Sequence, residues 1–249
     1  MKKIAFPIAL AATILSTSLV AQTVRIGTEG AYAPYNYMDA SGKIAGYEVD
    51  LGNALCAEAK LSCTFVVNEW DTIIPNLVAG NYDLIMAGMS ITDERKKSIS
   101  FSAEYYPVES SLFASASDAK INLSSLKGKK IGVQGATVQA GYAETHFAAN
   151  NTVLSYETFD QSVADLMAGN LDVLLADGDP LKPVVKASNG ELVFVGDGIR
   201  IGGGIGIGMR KGDAVLAKKM GAALETLKKN GTVDKLIKKY FKNGPFYSH

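Results

Sequence analysis

The chain predicts an α/β fold of two lobes, each a mainly parallel sheet flanked by helices, joined by a two-strand hinge. Three observations lead there. A twelve-residue phrase occurs twice, at residues 77–88 (LVAGNYDLIMAG) and 166–177 (LMAGNLDVLLAD). Each copy reads as a helix end, a glycine stop and a buried strand that follows an aspartate. Strand and helix signals also alternate along the chain, which is the pattern of βα units and parallel sheets. Finally, the chain crosses between the halves near residues 106–113 and again near 198–206. Two crossings make a hinge about which lobes can close. The expected division is 22–110 with 202–249 as the first lobe and 111–201 as the second.

The first 21 residues read as an export signal. Lys2 and Lys3 precede an apolar run from Ile4 to Val20, with small residues after it. The run is short for a membrane span. Cleavage is expected after Ala21, with Ser18 the other option. No cysteine lies near the cut, so the expectation is a free periplasmic protein, not a lipoprotein. Removing Lys2 and Lys3 leaves 23 basic against 25 acidic side chains, a net charge near −2. That balance offers no basic patch for nucleic acid and no charge block for disorder. Lys228, Lys229, Lys235, Lys238 and Lys239 have helical spacing and read as the solvated face of a terminal helix.

Both cysteines, Cys56 and Cys63, lie in one short stretch. An exported chain meets an oxidising compartment, so a disulfide is expected there. Two thiols without a nearby histidine do not make a zinc site, so no metal is expected.

In order, residues 24–28 read as a strand, 29–36 as a loop carrying Glu29, Tyr32, Pro34 and Tyr35, and 39–42 as a hairpin turn. Leu51, Ala54, Leu55 and Ala59 fall on one face of a helix over 48–59. A strand over 63–67 follows. Asp71 is expected to cap a helix with Pro75 in its first turn, ending at Gly80. After the first repeat, Thr92 caps a helix with Asp93 and Glu94 in its first turn. The next elements are a strand over 112–116, a strand over 131–133, a turn over 134–137 and a helix to about 148. A strand near Leu154 and a helix over 162–168 lead into the second repeat. Glycine alternates with apolar residues in 202–209, which is strand periodicity; the strand–turn–helix context of a nucleotide loop is missing. Helices over 214–229 and 233–241 close the chain.

Residues 24–95, 127–139 and 166–177, together with the ending from Lys229 through Gly231 to Leu236, resemble the family 3 solute-binding proteins, the periplasmic amino-acid receptors of ABC importers. The order and spacing of these segments carry the resemblance over nearly the whole mature chain. The Cys56–Cys63 spacing is similar to the branch binding lysine, arginine, ornithine and histidine, and residues 28–36 also look like opine-binding members. The resemblance implies a type II periplasmic-binding-protein fold, an inner-membrane permease as partner and no cofactor; the chain is expected to be a monomer.

Carried over position by position, the resemblance implies a binding site. Arg95 takes the ligand α-carboxylate in a bidentate fork. Thr137, through backbone and hydroxyl, Val138, through its N–H, and Gln139 lie at a helix start that adds donors. Asp177, Ser90 and the Gly88 carbonyl accept from the α-ammonium, beside Ala87. Tyr32 and Trp70 sandwich the side chain, where a cation gains from the aromatic faces. Glu29 pairs with a cationic side-chain end. Gln134 stands where histidine and lysine binders often carry an apolar residue. Its polarity favours a guanidinium, and a spare amide donor would also hold the second carboxylate of an opine such as octopine or nopaline.

Each residue has a plainer reading. Arg95 would pair within its own helix, Asp177 would cap one, Trp70 would be core and Glu29 a surface carboxylate. Trp70 follows a loop and is expected to be more exposed than a core tryptophan. The competing function class is an exported enzyme on the same fold, a dehydratase of cyclohexadienyl acids. His146 falls mid-helix and His249 is terminal, so no Ser–His or Cys–His pair is evident and no catalytic residue is assigned. The expected function is import of a cationic L-amino acid, arginine before lysine, ornithine or histidine.

Overall fold

The first strand, β1 (Thr23–Thr28), begins where the computed structural model begins to describe the chain, which it does for residues 23–247. The expected signal segment and His249 lie outside the described residues. After β1, a small meander of β2 (Ala31–Tyr32), β3 (Asn36–Met38) and β4 (Ile44–Ala45) turns at Asp39, whose Oδ1 accepts from the backbone N–H groups of Ser41 and Lys43. Then come α1 (Tyr47–Glu58), β5 (Ser62–Val67), α2 (Ile73–Val78), β6 (Leu84–Ile85), α3 (Asp93–Ser98) and β7 (Ile99–Tyr106).

Residues 107–109 cross to a second sheet. Its elements are β8 (Ser110–Ala116), β9 (Lys130–Gln134), α4 (Val138–His146), β10 (Thr152–Tyr156), α5 (Phe159–Met167), β11 (Val173–Asp177), α6 (Gly178–Ala187) and β12 (Leu192–Arg200). Residues 201–204 cross back to β13 (Ile205–Arg210), and α7 (Ala214–Lys229) and α8 (Thr232–Phe241) complete the fold.

The two sheets have matching orders, β5-β1-β6-β13-β7 and β10-β9-β11-β8-β12. Both repeat strands are central. β6 runs parallel to β1 and antiparallel to β13; β11 runs parallel to β9 and antiparallel to β8. The repeat works the same way in both sheets. Gly80 and Gly169 stop their helices at φ +85° and +75°, a region glycine enters without Cβ strain. The aspartates that follow tie down the neighbouring strand. Asp83 accepts from the Arg25 N–H at 2.9 Å and Asp172 from the Lys130 N–H at 2.8 Å. Leu77 and Leu166, at the first repeat position, are both buried. Burying such a side chain stabilises by about 1.5–3 kcal/mol.

The expected disulfide joins Cys56 near the end of α1 to Cys63 in β5. Four expectations are corrected. Asp71 caps no helix: residues 70–72 form a 3-10 turn and Thr72 is the N-cap residue of α2, with Pro75 still in its first turn. α5 begins at Phe159, three residues early, because Thr158 and Gln161 form a reciprocal capping box. α6 and β12 were not expected. The lysines share no single solvated face: Lys228 lies over the Tyr247 ring, 4.5 Å from its centroid, and Lys239 pairs with Asp50 at 2.7 Å.

Candidate functional site

β1, β6, β9 and β11 all end at one cleft between the two sheets, the position where α/β sheets bind ligands. Glu29 and Tyr32 follow β1. Ala87, Gly88 and Ser90 follow β6, and Arg95 sits in the first turn of α3. Trp70 comes from the 3-10 turn. Gln134 ends β9, Thr137, Val138 and Gln139 begin α4, and Asp177 ends β11. These twelve side chains and backbone segments line a single cleft holding about 290 Å³.

Arg95 occupies one end. Thr92 places it by accepting from its N–H at 3.2 Å as the α3 N-cap. Its guanidinium donates to the Ser90 carbonyl at 2.9 Å and, across the cleft, to the Ala136 carbonyl at 3.1 Å. Its Cζ lies 5.2 Å from the Trp70 ring centroid. Ala136 holds φ +52°, a left-handed conformation that costs a non-glycine residue about 1–3 kcal/mol and clusters at functional sites. Desolvation lowers the Arg95 pKa to about 10, opposed by the charge of Asp177. The half-buried cation therefore gains from an anion placed beside it. The first N–H groups of α4 lack intrahelical partners and meet the same end of the cleft. The Thr137 hydroxyl adds no donor here, contrary to expectation. It gives its proton to the Gln134 carbonyl at 2.7 Å and accepts from the Ala140 N–H at 3.0 Å.

Asp177 is the N-cap residue of α6, yet its side chain makes no cap bond. The carboxylate turns into the cleft instead. Its Oδ2 accepts from the Tyr32 hydroxyl at 2.7 Å, and its Oδ1 from Gln139 Nε2 at 2.6 Å and the Ser111 hydroxyl at 3.5 Å. Burial raises its pKa, and the bonds from Tyr32 and Gln139 oppose that. On the opposite wall Gly88 gives its N–H to Glu48 Oε1 at 2.7 Å. Glu48 is fully buried; Asn36 donates to its Oε2 at 2.7 Å and the Tyr105 hydroxyl donates to Oε1. This set of donors fixes the chain at Gly88, which lines the cleft.

Glu29 is 8% exposed, so it is not a surface carboxylate. Gln134 reaches it from the other sheet, Nε2 to Oε1 at 2.6 Å. Desolvation pushes the Glu29 pKa up to about 7; the Gln134 bond opposes this, and the charges of Glu48, Asp160 and Asp71 add to it. Trp70, at 8% exposure, is less open than expected, because its other side packs with Ile73, Leu77 and Met89. Tyr32 stands edge-on to Phe159 of the other lobe, centroids 5.7 Å apart.

Sequence reasoning missed Ser111, Glu48, Asn36 and Tyr105. Ser111 lies at the first crossing, a usable signal. Glu48 looks like a solvent-facing acid at a helix start, and only the folded chain shows its partners. Among the described residues His146 is the one histidine; it is exposed at the far end of α4, so no Ser–His or Cys–His pair lines the cleft.

Residues 24–243 match the bacterial extracellular solute-binding proteins, family 3. The lysine/arginine/ornithine-binding periplasmic protein of Escherichia coli (strain K12) is 38% identical over 248 residues, covering 94% of this chain and 93% of its own. The L-arginine-binding protein of Pseudomonas aeruginosa is 39% identical over 254 residues, covering 97% of each. A solved structure of a periplasmic His/Glu/Gln/Arg/opine family-binding protein from Silicibacter pomeroyi, in complex with lysine, matches with a TM-score of 0.84 at 44% identity, covering 90% of this chain and 100% of that one. With sequence match, sheet order and cleft in agreement, the chain belongs to the family 3 bacterial extracellular solute-binding proteins.

Proposed function

We propose that this chain is the periplasmic receptor of an ABC importer and closes around a cationic L-amino acid, arginine before lysine, ornithine or histidine. One observation carries the reading: a single cleft holds an arginine at one end, a carboxylate beside it and a second, buried carboxylate farther along. In this reading Arg95 and the first N–H groups of α4 take the α-carboxylate. Asp177 and the Gly88 carbonyl take the α-ammonium, with Ser90 beside them. Tyr32 and Trp70 flank the side chain, and Glu29 meets its cationic end. Two relatives named for lysine, arginine or ornithine binding support the ligand class.

The lobes divide at the crossing before β8, so that Ser110 joins the second lobe, and at 201/202, and residues 1–21 act as a cleaved export signal. The monomer is recognised by the permease in its closed form. In this reading the protein binds without turnover; among the described residues no histidine lines the cleft. The opine alternative loses the spare amide donor it invoked: both Gln134 amide hydrogens are engaged, one by Glu29 and one by the Glu157 carbonyl at 3.1 Å.

A thermal-shift panel on refolded, ligand-free mature protein tests this, with arginine, lysine, ornithine, histidine, glutamine, glutamate, octopine and nopaline. At a hundredfold excess over Kd, a ligand that binds only the folded state adds about 2.7 kcal/mol, or roughly 5–10 °C in Tm. A shift confined to opines or to neutral or acidic amino acids discards the cation pocket. No shift with any of them, and turnover of arogenate or prephenate, moves the chain to the enzyme class.

A further inference from the structure

The helix that starts at the cleft, α6, is capped from a distant part of the chain. By contrast α3, α4 and α5 cap themselves: Thr92, Thr137 and Thr158 each accept from the N–H three positions on. The N-cap residue of α6 is Asp177, among the best capping types, yet its side chain makes no cap bond. A capping side chain accepts from the second or third helical N–H. The third helical residue of α6 is Pro180, which has no N–H, so the Asp179 N–H is the one donor left for a cap at Asp177. That donor is already taken. Glu109, at the first crossing and 70 positions away, accepts it through Oε2 at 3.0 Å. Lys182 holds the other oxygen of Glu109 at 2.6 Å. Gly178 leaves room for this approach, since a Cβ there would stand 3.2 Å from Glu109 Oε1 and 2.9 Å from the Ser110 carbonyl oxygen.

We infer that Glu109 is a positioning residue for Asp177: by capping α6 in its place, it leaves the Asp177 carboxylate free to face the cleft. The inference rests on the receptor reading above, in which Asp177 takes the ligand α-ammonium. Without Glu109 the Asp179 N–H is an orphan donor at a helix N-terminus, where both the bond and the dipole favour an anion. Asp177, as the N-cap residue, is placed to supply one. Turning its side chain to the helix would withdraw the carboxylate from Tyr32 and Gln139. Ligand would then find only a fraction of molecules with Asp177 in the cleft, and its apparent affinity falls by that fraction. Glu109 itself does not line the cleft, so it meets no part of the ligand.

Calorimetry with arginine and lysine, and the Tm of ligand-free protein, test the inference in wild type, Glu109→Leu, Glu109→Gln, Asp177→Ala and the double variant of Glu109→Leu with Asp177→Ala. Glu109→Leu should weaken arginine and lysine alike, by about fivefold, the factor that matches a typical cap bond. Glu109→Gln keeps an oxygen for the Asp179 N–H and should stay within about twofold of wild type. Stability supplies a readout that a merely structural role would not move. Glu109→Leu should lower Tm by about 2–4 °C more in the Asp177→Ala background than in the wild-type background, because there no side chain can take over the cap. Equal Tm losses in the two backgrounds, or unchanged affinity in Glu109→Leu, would overturn the inference and leave the receptor reading intact. So would an affinity loss in Glu109→Gln as large as that in Glu109→Leu. If Glu109→Leu does not fold, Glu109→Ala replaces it with the same expected outcomes. Failure of wild type to bind any cationic amino acid overturns the receptor reading and the inference with it.

Discussion

The Tyr32 hydroxyl donates to Asp177 Oδ2 at 2.7 Å, joining two residues 145 positions apart and belonging to opposite lobes. Gln139 holds the other oxygen at 2.6 Å. In the closed arrangement the carboxylate is thus oriented, and the bonds from Tyr32 and Gln139 oppose the burial that raises its pKa. An α-ammonium in the closed cleft meets an anion held from both lobes.

Asp177→Asn is expected to reduce affinity at least hundredfold, because a neutral amide leaves the buried ammonium without its counter-charge. Tyr32→Phe removes one of three bonds to the carboxylate and keeps the charge, so its loss should stay within about tenfold. Calorimetry with arginine reads both. Equal effects would mean that Asp177 serves lobe closure and does not touch the ammonium.

Arg95→Ala is expected to abolish amino-acid binding. The ligand carboxylate would stay desolvated while losing its charged fork, a cost of about 3–5 kcal/mol. The Ser90 and Ala136 carbonyls would also lose their donor. Unchanged affinity by calorimetry would remove Arg95 from the site.

Much of this was legible because the repeat performs the same local work twice. A glycine stop and a buried leucine each act within one βα unit, so sequence spacing carries them, whereas Asp83 and Asp172 tie strands 58 and 42 positions away. Thr92 was readable as a helix cap for the same reason. α6 was not, because Pro180 and Pro183 argue against a helix. Pro180 falls in the first turn, where its missing N–H costs nothing, and Pro183 is tolerated within α6. β12 is an edge strand whose 196–198 segment (Gly-Asp-Gly) breaks alternation. Glu48 was illegible in principle: its donors lie 12, 40 and 57 positions away, and no local pattern announces them.

The Cys56–Cys63 bond closes a loop of sequence separation 7. In the chain-entropy estimate a loop that short contributes about 2.5 kcal/mol. Replacing both cysteines by serine should lower Tm by roughly 5–10 °C. Arginine affinity should stay within about twofold, since neither cysteine lines the cleft. A large affinity loss at unchanged Tm would show that the staple positions the site instead of supporting α1 and β5.

Glu29 makes ligand-free closure depend on pH. Its pKa rises from 4.5 to about 7 when the lobes enclose it, chiefly by desolvation, with Glu48, Asp160 and Asp71 adding their charge and Gln134 opposing. In the open form Glu29 returns toward its ordinary value. Between about 4.5 and 7 the closed form therefore binds more protons, so closure without ligand is favoured as pH falls and disfavoured as it rises. A shift from 4.5 to about 7, at about 1.4 kcal/mol per unit, sets the full effect at about 3 kcal/mol. A cationic side chain replaces the proton and removes this penalty at neutral pH. Small-angle scattering of ligand-free protein should show a more compact particle near pH 5 than near pH 8. Glu109 at the first crossing, raised to about 8 by burial and its contact with Asp179 and opposed by Lys182, also titrates in this range. The contribution of Glu29 is thus the difference between wild type and Glu29→Gln below pH 7. Identical profiles for the two proteins in that window would show that closure does not titrate with Glu29.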